Sequence, residues 1–440
     1  MSRLLRAPSP RPTHGATPLR ATAPVGRPSR RTLGSILRTA RPPADPWVTV
    51  IVAALVCVGV LMVFSASALN SLYNTDDPYF VGSRQLIWAA VGGAMLLFVS
   101  SIDYRRLRAF ATPLLIVALV LLLLVLLPGV PTERGFRRSL SLGPISIHAA
   151  EVAKLALVLF LAAHLSKRGH LLHDGWGTFL PAVAAVGVSA LLVLVEPDLG
   201  SAIVVAGVGF TILFCSGLPL RWVLSLAGAG AGAMGLSLLF NSYQAARLGG
   251  FADPFSDPLG ASYQTLQGLM AMALGGPLGS GLGSSQQPGG VIVPYSWNDY
   301  IFAVIGQEFG LLGALLVLLA FIALAVRGMR ISRRAPDTFG ALIAIGVTAW
   351  VCGQAFMNIG VVLALFPVTG VPLPLVSQGG SSLLVLLAAI GLLLSVSRET
   401  MGEPQRGGLD ARVDRGRGNG GTPLPGIRRR PLSAPAALRR

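Results

Sequence analysis

One carboxylate stands where a charge is unfavourable. Asp299 lies in the run Pro294-Tyr295-Ser296-Trp297-Asn298-Asp299-Tyr300-Ile301-Phe302, at the seam between a long polar stretch and a strongly apolar one. A lone acid at such a boundary can serve as a general base, as a ligand to a divalent cation (Mg or Mn), or as the N-cap of the helix that follows. Its position just before Tyr300 suits all three. Glu308, nine residues on, is the nearest acid in the apolar stretch. On a regular helix that spacing is a rise of about 13 Å and a rotation of about 900°, which sets the two on opposite faces and rejects a carboxylate dyad of the glycosidase kind. Asp299 would instead share its face with Phe302, Ala303, Gly306 and Gly310, where the small residues let another helix approach closely.

Other charges interrupt apolar runs, and each is a functional candidate because it needs a partner or water. Glu151 and Lys154 are three apart, so on a helix they share a face and can pair; a packing ion pair and a catalytic role suit them equally. Glu196 and Asp198 flank Pro197, a natural tight turn, and are either turn-formers or neighbours of the Asp299 cavity. No Ser/His/Asp order, His-rich metal motif or Walker loop is present, and Gly279-x-Gly281-x-Gly283 has the wrong spacing for a nucleotide loop. Cys57, Cys215 and Cys352 are far apart and sit in apolar runs, as small buried hydrophobes do.

The elements that position these groups follow from composition. Only 12% of the 440 residues are charged and mean hydropathy is +0.68, about half the charge of a soluble domain. Continuous apolar runs predict ten membrane helices, at 48–69, 80–102, 111–128, 149–166, 177–195, 199–218, 222–240, 300–326, 338–366 and 380–397. The fold class is therefore all-α, a polytopic membrane bundle over 47–397. It is flanked by basic tails, 1–46 and 398–440, whose Pro, Gly and Arg content predicts disorder. The net charge of +17 does not indicate nucleic acid, because its Arg lies in the tails and in short loops. With the N-terminus inside, cytoplasmic regions hold 29 Lys and Arg and external ones 5. Both termini are then cytoplasmic, and the loop 241–299, with Asp299 at its end, is external. No apolar core precedes Trp47, so no cleavable signal is expected. Within the loop, Ala261 to Leu274 is amphipathic enough to lie on the membrane surface as a short helix.

The run Trp297 to Gly310 resembles the signature of the SEDS family of peptidoglycan polymerases (FtsW, RodA and SpoVE). Three further stretches agree: Leu142-Gly143-Pro144 with Glu151-Val152-Ala153-Lys154-Leu155; Asp253 to Gln267; and Asn358 through Thr369 to Ser382. Asp253-Pro254-Phe255 and Gly281 to Gln286 look more like FtsW than RodA. The resemblance implies a glycosyltransferase that polymerises lipid II at the outer face of the bacterial cytoplasmic membrane. The setting it implies is the division septum, with a RodA-like, sporulation or lipid II transporter role as alternatives. It makes Asp299 the catalytic aspartate and possible metal ligand, with a divalent cation and no organic cofactor. Substrate binding falls to Arg137, Arg138, Glu151, Lys154, Glu196, Asp198, Gln264, Gln267, Ser377, Gly379, Gly380 and Ser381; for Arg137 and Arg138, interfacial anchoring is the other reading. The implied partners are a class B penicillin-binding protein and other divisome or elongasome membrane proteins, with no nucleic acid. The family pattern has His-Thr where Trp297-Asn298 stands, Glu at Gln307 and Tyr at Gln378, and a Trp after the arginines of the third loop.

Overall fold

The computed structural model describes residues 43–127, 139–142, 145–167, 175–217, 220–240, 242–255, 257–260, 262–287, 293 and 296–415. Ten of its helices match the ten apolar runs. They are α1 (Pro46–Thr75), α2 (Phe80–Ser101), α3 (Ala111–Val125), α4 (Ala149–Lys167), α5 (Gly175–Val195), α6 (Leu199–Cys215), α7 (Leu220–Phe240), α10 (Ile301–Arg334), α11 (Thr338–Val362) and α12 (Gly380–Arg415). Two more, α8 (Ser242–Ala252) and α9 (Tyr263–Gly275), lie in the loop before Asp299. Seven of the ten are long and apolar enough to cross a membrane, and α3, α6 and residues 224–233 of α7 are shorter apolar helices. This is a multi-pass membrane architecture. Within it α4, α11 and α12 run through the middle: 72% of the apolar stretch of each is buried, against 22–39% for the other long spans.

Between apolar helices the contacts are made by close approach of small residues. A methyl group on Gly391 of α12 would lie 2.8 Å from the Leu96 carbonyl of α2, and one on Gly92 of α2 would lie 2.6 Å from Leu387 Cδ1. Gly59 of α1 does the same for the chain after α11, whose Leu375 carbonyl and Val376 Cα lie within 2.7 Å of where its Cβ would be. Asp45 caps α1, accepting from Trp47 and Val48 backbone N–H groups, and its carboxylate pairs with the Arg327 guanidinium of α10.

Four features go beyond the sequence reading. The all-α class holds, with one small addition: Ser139–Leu142 (β1) and Ile145–His148 (β2) form an antiparallel hairpin, Leu142 paired with Ile145. The α9 helix exists as expected, and its buried residues Thr265, Gly268, Ala271 and Gly275 pack on α10. Gly268 admits the Tyr300 ring and Gly275 the Gly306 carbonyl. At its far end α12 continues to Arg415, past the predicted start of the tail at 398; an existing helix is already nucleated, so extension is easy. Residues 1–42 and 416–440 lie outside the described residues.

The fourth feature is the break in α10 at Gly310 (φ 66°, ψ −164°), a conformation essentially reserved for glycine. The break frees backbone groups that lipid cannot satisfy, and the Gly-rich loop after α9 satisfies them. Ser280 and Gly281 N–H donate to the Gln307 and Glu308 carbonyls (2.9 and 3.1 Å), while Leu311 and Leu312 N–H donate to the Gly276 and Pro277 carbonyls (2.9 and 3.2 Å). Gly310→Ala should therefore destabilise the protein by more than about 1 kcal/mol, because its Cβ would also strike the Pro277–Gly279 backbone. Thermal unfolding in detergent micelles checks this; an unchanged midpoint would contradict the break's role.

Candidate active site

Residues 296–299 form a turn, and Tyr300 is the N-terminal flanking residue of α10 with no side-chain cap bond. Asp299 therefore lies outside the helix and shares no helical face with Gly310, which is itself non-helical. Asp299 is 8% exposed, and the Gln264 side-chain amide of α9 points at its Oδ1 from 3.5 Å. Beside it Tyr300 is fully buried and its hydroxyl shares a 3.3 Å hydrogen bond with Thr265. Burial pushes the Tyr300 phenol up to about 12; the Thr265 bond opposes this, the Asp299 carboxylate adds to it and the Arg247 guanidinium pulls it back.

The backbone under Asp299 is held from two sides. Asn358 of α11, 1% exposed, donates both to the Asp299 carbonyl (2.7 Å) and to the Val371 carbonyl (2.8 Å). Gln378 N–H donates to the Trp297 carbonyl at 2.9 Å. The segment 363–379 is thus tied to the acid's turn. It is itself a strained loop, with Leu375 in the left-handed region (φ 67°), which bulky residues rarely adopt. Ser377 secures it: its hydroxyl accepts from Leu373 N–H at 2.9 Å, and its N–H donates to the Leu373 carbonyl at 2.9 Å.

One turn before Asn358, Gln354 of α11 donates to the Pro372 carbonyl (3.0 Å) and accepts from Lys154 Nζ (2.8 Å) and Trp350 Nε1 (3.1 Å). Lys154 is fully buried, lies over the Trp350 ring and pairs with Glu151 at 2.6 Å. The α4 ion pair thus reaches the strained loop through one amide and lies one further amide from Asp299. Asn358→Ala removes both donors and leaves two carbonyls without them, at a cost of about 1–3 kcal/mol. We expect turnover to fall by at least tenfold while Lys154 and Glu151 stay paired; undiminished turnover in a correctly folded variant would contradict the clamp.

Relatives of known kind now place this arrangement. A model of the cell cycle proteins FtsW, RodA and SpoVE matches residues 46–402. The chain belongs to the FtsW/RodA/SpoVE family. It is 40% identical to a probable peptidoglycan glycosyltransferase, FtsW, of Thioalkalivibrio sulfidiphilus, over 85% of this chain and 94% of that one. It is 37% identical to stage V sporulation protein E of Bacillus subtilis (strain 168), over 82% and 99%. Among solved structures it is similar to one described as the structural coordination of polymerization and crosslinking by a peptidoglycan synthase complex (TM-score 0.67, 29% identity, 82% and 99% covered). It also resembles the rod shape determining protein RodA of Thermus thermophilus (TM-score 0.60, 28% identity, 81% and 97% covered).

The remaining candidates of this family member fall into separate groups. Ser381, in the first turn of α12, holds the hairpin, donating to the Ser146 carbonyl at 2.5 Å and accepting from His148 N–H at 3.3 Å. The third-loop and C-terminal motifs therefore meet. Gly379 N–H donates to Gln85 Oε1 of α2, whose Nε2 donates to the Ser377 carbonyl, both at 3.3 Å. Gly380 leaves room for Trp88, whose indole nitrogen would be 2.9 Å from an added Cβ. Gln267 is half-buried on α9, one turn from Gln264. Glu196 is buried, and Asp198 caps α6 through Ser201 N–H (3.0 Å) and Oγ (2.9 Å), which is the turn-forming role. Glu308 takes hydroxyls from Ser65 (2.7 and 2.8 Å) and Ser285 (2.6 Å), tying α1 to α10. Arg137 and Arg138 lie outside the described residues.

Sequence reasoning missed Gln354 and Gln85 and quoted Asn358 only within a motif. For Gln354 and Asn358 the available signal was two amides four residues apart in an otherwise apolar span, one face of one helix.

Proposed function

We propose that this chain is a glycosyltransferase that polymerises lipid II into glycan strands at the outer face of the cytoplasmic membrane. The observation that carries this is the buried Asp299 carboxylate, faced by the Gln264 amide and set on a backbone clamped by Asn358 and Gln378. In a family whose relatives include peptidoglycan glycosyltransferases, such an acid suits the base that takes the proton from an acceptor sugar hydroxyl. Gln264 orients the carboxylate, and the clamp keeps it from retreating when the sugar enters. The Arg distribution supports an external position for the loop 241–299 and cytoplasmic termini.

Asp299 is also the residue that would hold a divalent cation. Among the described residues no group of three His, Cys, Asp or Glu gathers; one carboxylate fits a magnesium-like ion that takes its other ligands from water and substrate phosphates. Such an ion would neutralise charge on the leaving diphosphate.

Likeness to a complex that joins polymerisation to crosslinking supports a class B penicillin-binding protein as partner. The FtsW relatives support a septal role. Kinship with stage V sporulation protein E favours spore-wall synthesis as the second reading. The test is extension of labelled lipid II by the purified chain with its penicillin-binding partner, with and without Mg. Strands support the proposal. Exchange of lipid II across vesicles with no strands formed would overturn it in favour of transport.

A further inference from the structure

At the end of the bundle where the Arg distribution places the cytoplasm, a cavity of about 200 Å3 opens between the start of α3 and the last turns of α4. It is lined by Arg108, Thr112, Phe160, Ala163, His164 and Lys167, so two separate elements bring basic side chains to one concavity. Arg108 belongs to the short 3-10 helix Tyr104–Ala109 that precedes α3. Its Nη2 donates to Ser166 Oγ at 3.0 Å and its guanidinium carbon lies 5.6 Å from the centre of the Phe339 ring. Its Nε is buried with no hydrogen-bond partner among the described residues. His164 stacks on Phe160, ring centroids 5.6 Å apart, and its Nε2 donates to the Thr178 carbonyl at 3.0 Å.

Among the described residues no carboxylate lines this cavity, and none is within ion-pair distance of Arg108 or Lys167. Other cations at the same end of the bundle are paired. Arg105 meets Asp337 at 2.9 Å and Glu399 at 3.8 Å, and Arg327 pairs with Asp45. Like charges that share a concavity repel, so Arg108 and Lys167 are best accommodated with an anion between them. Lys167 and His164 would favour the C-terminal end of α4 without any ligand, and any Arg in the loop would help to set orientation. Neither role needs a half-buried guanidinium held in place by a serine hydroxyl and a phenyl ring.

We infer that this cavity binds the phosphate of an anionic phospholipid of the cytoplasmic leaflet. A guanidinium and an ammonium supply charge-assisted donors to phosphate oxygens, and at roughly 30 Å3 for each water-sized group the space accommodates a phosphate. What lies beside the cavity favours a lipid over a soluble phosphate. Thr112 is exposed at its edge, and Ile116, Val120 and Leu124, each one turn further along α3, are exposed apolar side chains on which an acyl chain can lie. A basic pocket between membrane helices on this side of the bilayer is a recognised kind of headgroup site. The bound phosphate ties the foot of α3 to α4, the helix that carries Glu151 and Lys154.

The test uses the full chain in detergent micelles, with phosphatidylglycerol or phosphatidylcholine added and lipid retention read by native mass spectrometry. The wild type should retain phosphatidylglycerol in preference to phosphatidylcholine. Arg108→Gln and Lys167→Gln should each weaken phosphatidylglycerol binding about tenfold, the loss of one charge-assisted hydrogen bond. Arg106→Gln should bind as the wild type does, because Arg106 is exposed in the same short helix but does not line the cavity. A phosphatidylglycerol with a photoreactive headgroup should label peptides carrying Thr112 or His164 in the unaltered protein, which decides the matter should a variant fold poorly. Equal retention of the two lipids, an equal loss in Arg106→Gln, or labelling confined to other peptides would overturn the inference. Displacement of the lipid by glycerol phosphate at equal concentration would assign the cavity to soluble phosphates and overturn the lipid source.

Discussion

Asp299→Ala should abolish glycan strand synthesis, with a fall in rate of about 10²–10⁴-fold, the contribution of a positioned general base. The effect should fall on turnover and not on folding. Asp299 stands outside α10, and the Asn358 clamp grips the backbone carbonyl of residue 299, which alanine retains. Lipid II binding should survive for the same reason, because Gln264, Tyr300 and the 363–379 loop are unchanged. Radiolabelled lipid II extension and a binding titration on the same preparation check both halves.

Lys154→Met should be the most destabilising single change among the candidates. Lys154 is fully buried, and its ammonium meets Glu151 at 2.6 Å and Gln354 at 2.8 Å. Removing it leaves the Glu151 carboxylate, itself buried, without its counter-charge, a loss of about 3–5 kcal/mol in such pairs. The double change Glu151→Gln with Lys154→Met should recover most of that stability, because a buried ion pair and a neutral replacement often differ little. Activity should not recover with it: Gln354 loses its ammonium partner, and the Pro372 carbonyl it holds belongs to the loop tied to Asp299. Thermal unfolding and polymerisation measured on both variants separate the two effects. Full activity in the stable double variant would reduce the pair to packing.

Much of this was legible before the structure, for a physical reason. Lipid forces each spanning helix to be a continuous apolar run, so where each of the ten begins could be read within two residues, and a charge in such a run announces itself, as Glu151 and Lys154 did. Less of the rest could be read. The Gly310 break sits in a run whose only polar residues between 301 and 326 are Gln307 and Glu308, where a glycine looks like a packing residue; only the loop that fills the break gives it away. The hairpin was foreshadowed by the strict alternation Ser139-Leu140-Ser141-Leu142 and Ile145-Ser146-Ile147-His148 around Gly143-Pro144, a signal that four-residue strands make easy to overlook. The neighbours of Asp299 were the hardest. Gln264, Asn358 and Gln378 come from three distant segments, and no periodicity links them. Trp297 and Gln378, two positions that depart from the family pattern, prove to be joined by a backbone hydrogen bond, so the departures lie side by side in the same turn contact.

The central claim is that Asp299 acts as a base and not as a structural acid. Asp299→Asn tests it most directly, since asparagine keeps the shape, can still accept from Gln264, and is as good a helix cap as aspartate but cannot take the proton. Extension of labelled lipid II by this variant should yield no strands while its thermal midpoint and lipid II affinity match the wild type. Strands formed at the wild-type rate would contradict the account.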